Sequence, residues 1–156
     1  MKRTQAVHPW SAKPLEAFVS EAGARLALLM TPAGQVFAQH GFTRAVDVMA
    51  AAALGAAIVS STEEISKMLD RSRFTTLSHQ GARHGIFLSG FDSPQGRLVL
   101  LAIYGRESSL GLVQLFFDEF VRDLVAACPE PETRKPVLAA DFERELSESL
   151  AALFRV

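Results

Sequence analysis

At 156 residues, 49% of them hydrophobic, the chain is long enough to bury one core without cross-links or metals. A formal net charge of −1 and the lack of any basic run exclude the electrostatic footprint of a nucleic-acid binder or an anionic-membrane binder. Cys128 is the one cysteine and cannot form an internal disulfide, and MKRTQAVHPW leads into polar residues rather than an apolar leader, so a reduced, cytoplasmic setting is expected.

Residues 1–10 show no periodicity and read as a flexible arm, with Trp10 beside Pro9 able to pack back on the domain. The stretch SAKPLEAFVSEAG then offers Ser11 as a capping residue, Pro14 within the first turn, and apolar Leu15, Phe18, Val19 and Ala22 at helical spacing, closed by Gly23. RLALLMTPAGQVFAQHG reads as two short strands around a turn punctuated by Pro32 and Gly34.

Residues 43–71, TRAVDVMAAAALGAAIVSSTEEISKMLDR, carry no proline and seven alanines, which favours a helix of many turns. From Val46 to Val59 the only charge is Asp47, so no solvated face can be drawn there, and a helix apolar all round must be covered on more than one side. The stripe Val46, Met49, Ala50, Ala53 and Ala57 is expected on the chain's own core. The stripe Ala51, Leu54, Gly55, Ile58, Thr62 and Ile65 then needs another cover, and small residues at 51 and 55 would admit a second helix closely. The apolar run falls short of the ~20 residues that a membrane span needs, so membrane insertion is not expected. Residues 60–64 spell two overlapping capping boxes, read here as Ser and Thr bonding back one turn inside a continuous helix.

Beyond the helix, RFTTLSHQGARHGIFLSGFD reads as a second hairpin turning near residues 81–83, and RLVLLAIYG as a central strand covered on both faces. Ser108 or Ser109 can cap a helix over LGLVQLFFDEFVRDLVAAC, whose Val113, Phe116, Phe117, Phe120, Val121 and Leu124 form one wide stripe. Residues 11–128 thus form one domain. Residues 129–137, rich in proline, read as a linker. Residues 138–156 read as an amphipathic tail helix whose Phe142, Leu146, Leu150 and Leu153 must dock on something, because so short a helix is marginal alone. The simplest layered solution is an α+β domain: a five-stranded antiparallel sheet with the first and last helices on one face and the long helix on the other, plus the tail helix.

The passages LLMTPAGQVFAQHGF, DVMAAAALGAAIVSSTEEISKML and RLVLLAIYGRESSLGLVQLFF, in that order, resemble the roadblock/LC7 family, and within it the bacterial MglB-type members, over roughly residues 14–127. The resemblance implies a profilin-like domain that homodimerises, continues its sheet across the dimer and sets two long helices side by side as a platform for a Ras-like small GTPase. It places partner-binding residues at Asp47, Ala51, Leu54, Gly55, Ile58 and Thr62. It also places dimer contacts at Ala50, Leu54, Ile58, Phe74, Thr76 and Ser78. MglB-type members raise their partner's GTP hydrolysis by reshaping its switch region without donating a residue. The tail lies outside the family core.

Catalytic signatures are missing. No Gly is followed by Lys and no two glycines are separated by one residue, so neither a P-loop nor a dinucleotide fingerprint exists; HExxH, GxSxG and CxxC do not occur either. No catalytic residue, cofactor or metal is expected. His79 and His84 flank a hairpin turn without a further ligand, Arg71 and Arg73 suit a helix C-terminus, and Cys128 has neither base nor metal beside it. The expected function is a homodimeric, non-enzymatic regulator of a small GTPase. The alternative is a light-chain-like adaptor dimer that joins larger proteins and changes no rate. A small-ligand sensor would need a cavity where the phenylalanine-rich last helix instead suggests a filled core.

Overall fold

The computed structural model describes residues 3–131 and 139–154. Its strands are β1 (Thr4–Ala6), β2 (Ala24–Met30), β3 (Val36–His40), β4 (Thr76–Gln80), β5 (Gly85–Ser93) and β6 (Gly96–Tyr104). Its helices are α1 (Ala12–Ala22), α2 (Ala45–Met68), α3 (Leu110–Ala127) and α4 (Ala139–Leu153). The strands form one antiparallel sheet in the order β1-β3-β2-β6-β5-β4.

The pleat sorts the core into two layers. On one face Phe87 and Phe91 of β5 meet Phe117 and Phe120 of α3, and Phe18 of α1 closes on Phe120 at a ring separation of 5.6 Å. This side is filled with aromatic rings, as the last helix suggested. On the other face Leu28, Met30, Leu88, Val99 and Leu101 receive α2. The run from Leu98 to Ala102 is buried throughout because β6 has a layer on each side.

The sheet has six strands rather than five, because part of the expected arm pairs with β3. Thr4 lies opposite His40 and Ala6 opposite Ala38; the Thr4 hydroxyl meets His40 Nδ1 at 2.8 Å, and Gln39 Nε2 donates to Gln5 Oε1 at 3.0 Å. Without it β3 would present an unpaired edge. A three-residue strand is too short to show a period in sequence. Trp10 and His8 pack on Phe37 behind it. Ser11 does not cap α1 by its side chain; its hydroxyl donates to His8 O at 2.6 Å within a 3₁₀ turn, Pro9–Ser11. Ser109 does cap α3, accepting the Leu112 N–H at 3.2 Å. Most of the expected 129–137 linker lies outside the described residues.

Candidate functional site: the outer face of the long helix

Helix α2 runs unbroken through residues 60–64, and the Thr62 hydroxyl donates back to Ile58 O at 2.8 Å. Its seating is decided by what the sheet admits. Ala52, Gly55 and Ser66 are buried, with Val48, Ala51, Ile58 and Val59 packed beside them. A Cβ on Gly55 would fall 2.7 Å from Met30 Cε and 3.1 Å from Leu101 Cδ1. The β2–β3 turn also crosses under the helix: Gly34, at φ +89, would place a Cβ 3.4 Å from Ala52 O. The helix thus lies closest to the sheet at Ala52 and Gly55.

The expected orientation of α2 is therefore corrected. Val46, Met49, Ala50, Ala53 and Ala57, expected on the core, face outward, Met49 at 70% exposure. Of the stripe expected outside, Leu54 (66%) and Ile65 are exposed, whereas Ala51, Gly55, Ile58 and Thr62 turn toward the sheet. The backbone that approaches Ala51 and Gly55 is this chain's own. Val46, Met49, Leu54 and Ile65 are large residues that point out, while Val48, Ile58 and Val59 point in, so side-chain size does not separate the two faces.

Asp47 is half-buried at the start of α2, where Arg44 Nε and Nη2 each donate to its carboxylate at 3.0 Å. These bonds hold the carboxyl below its ordinary range and the Arg44 guanidinium above its own. By length and composition α2 is apolar enough to cross a membrane, more so than the short apolar run suggested, yet its inner face belongs to the sheet.

Strand β4 is an edge of the sheet: it pairs with β5 on one side, and no described strand pairs with its other side. Phe74 and Ser78 are exposed; Thr76 is half-buried, its hydroxyl 3.2 Å from that of Ser89. The outer face of α2 and the open edge of β4 thus form two uncovered features, one apolar and one of free backbone groups. Tail residues Leu146, Leu150 and Leu153 of α4 are exposed, and the Phe142 side chain lies outside the described residues.

His84 Nε2 lies 3.0 Å from Arg25 Nη1, whose guanidinium also pairs with Glu107, and His79 stands in β4 opposite Ile86. Among the described residues no three His, Cys, Asp or Glu side chains come together. Burial pushes the Cys128 thiol up, away from a reactive thiolate.

Residues 13–104 match the family model described as the Roadblock/LC7 domain. The gliding protein MglB of Thermus thermophilus superposes with a TM-score of 0.67 at 25% identity, over 77% of this chain and 89% of that one. MglB of Myxococcus xanthus gives 0.62 at 25% identity over 70% and 87%. A structure described as MglB with tetrameric arrangement gives 0.66 at 25% identity over 77% and 88%. No curated protein matches in sequence.

Proposed function

This chain belongs to the roadblock/LC7 family, and from that premise we propose that it is a homodimeric regulator of a Ras-like small GTPase. The observation that carries the reading is the outer face of α2, where Val46, Met49, Ala50, Ala53, Leu54 and Ala57 stand exposed along one helix of a chain that also leaves the β4 edge open. A second copy related by a two-fold axis covers both at once: helix lies along helix while β4 continues into its counterpart. The likeness to MglB proteins, one of them in a tetrameric arrangement, supports self-association and regulation of a GTPase.

In this reading the paired helices receive the GTPase, with Asp47 and Leu54 at the contact, whereas Gly55 serves the core. The chain contributes no catalytic group. It acts by holding the hydrolysis-ready conformation of its partner more tightly than the relaxed one, and each tenfold preference is worth about 1.4 kcal/mol of population shift. The test is capture and single-turnover hydrolysis with a candidate Ras-like GTPase loaded with GDP or a GTP analogue. Capture confined to the GTP-like state, with faster hydrolysis, is the expected result. Capture indifferent to nucleotide, with an unchanged rate, would establish an adaptor instead.

A further inference from the structure

On the inner side of α2, beside its C-terminal half, the packing leaves an opening. Between the C-terminal half of the helix, residues 71–75 and the β5–β6 hairpin lies an open cleft of about 490 Å³, with Val59, Phe74 and Leu77 as accessible apolar lining and Leu88 and Val99 buried beneath them. Its rim is cationic, carrying Lys67, Arg71, Arg73 and Arg97, with Glu63 as the one carboxylate among the lining residues.

Lys67 is answered by Glu64 on its own helix, Nζ to Oε1 at 2.7 Å, whereas the arginines are answered weakly or not at all. Arg97 lies over Gly90, where a Cβ would come within 2.7 Å of Nη2. Its side chain is only 22% exposed, and its ion pair is a 3.3 Å contact with Asp92, whose own side chain is 82% exposed. Arg71 sits at φ 61 just beyond α2, donating its N–H to Ser66 O, while the Ser66 hydroxyl donates to Ser72 O. Arg71 and Arg73 form no ion pair among the described residues.

The tail helix has the opposite character. On α4, Leu146, Leu150 and Leu153 share one face, and Glu143 and Glu145 flank it at helical spacing. These leucines are exposed, and a 15-residue helix without a docking surface is marginal in water. The chain also leaves the domain at the right end of the cleft. Gln95 Nε2 donates to Pro129 O at 2.9 Å, which ties the end of α3 to the β5–β6 turn two residues from Arg97. The eight steps from Pro131 to the start of α4 reach up to about 28 Å, enough to cross the sheet end.

We propose that this cleft is the seat of the chain's own α4, with its leucine face on the accessible apolar lining, Val59, Phe74 and Leu77, and its flanking glutamates against the arginine rim. Charge complementarity, the exit point of the chain and its reach converge on that one occupant.

The test is disulfide trapping in the full chain. In a Cys128→Ala background, the pair Arg73→Cys and Leu150→Cys should close within one chain under mild oxidation, running as a monomer on a denaturing gel. It should close at least tenfold faster than the control pair Arg83→Cys and Leu150→Cys, whose first position lies in the β4–β5 turn. Adding Leu146→Glu, on an exposed tail position that the domain core does not use, should bring the first pair down to the control rate. Equal rates for the two pairs, or indifference to Leu146→Glu, would overturn the proposal. A disulfide between two chains would place a second copy's tail in the cleft and overturn the assignment to the chain's own helix.

Discussion

Two neighbouring residues of α2 have opposite duties, and they make the sharpest contrast in the molecule. Gly55 touches Met30 and Leu101 across a gap with no space for a Cβ, so Gly55→Val overpacks the sheet-facing layer. Its expected cost is about 1–3 kcal/mol, read from urea unfolding. Leu54, one position earlier and exposed, should accept Leu54→Arg with the folded domain retained, its unfolding becoming independent of protein concentration as self-association is lost. Asp47 supplies a pH prediction. Its carboxyl is held below the ordinary value by Arg44, so the folded value lies beneath the unfolded one. The pair therefore contributes fully above the unfolded carboxylate range and is lost as pH falls through the lower folded value. An NMR titration should find the Asp47 midpoint depressed, and Arg44→Ala should move it back up.

At the scale of elements, α3 is the strut of the filled face. Phe120 packs against Phe18, Phe91 and Phe117, so Phe120→Ala should cost about 3–5 kcal/mol of stability in the same unfolding experiment. Most elements could be read from the chain because their punctuation is chemical: Gly23, the Pro32 and Gly34 turn, Ser109 and Pro129 each mark a boundary by conformation or capping. What could not be read is how α2 is rotated. A helix with one charge in fourteen residues has no polar face to identify its outer side, and hydrophobicity alone cannot say which apolar stripe meets the sheet. The answer depended on clearance under the helix, set by Met30, Leu101 and the β2–β3 turn, and these are distant in sequence. Strand β1 was illegible for a different reason: its three residues pair with β3, far along the chain, and carry no period of their own. The cleft beside Arg97 is likewise a product of tertiary packing, assembled from α2, β4, β5 and β6.

At the scale of the whole molecule the two sides of the sheet differ in completeness. The α1–α3 side is closed by aromatic packing, while the α2 side is one helix thick and leaves that helix apolar on its outside. A lone chain would keep an apolar helix stripe and an open strand edge in water, an arrangement that soluble monomers avoid. A two-fold partner removes both exposures and creates the broad, paired-helix surface on which the regulatory reading depends. The measurement that tests this most directly is the solution mass of the purified chain beside that of Leu54→Arg, by light scattering at micromolar concentration. A dimer or a multiple of it for the native chain, and a folded monomer for the variant, is the predicted result. A native chain that is monomeric, or a variant that still pairs as tightly, would contradict the assignment of the outer face of α2 as the surface where two copies meet.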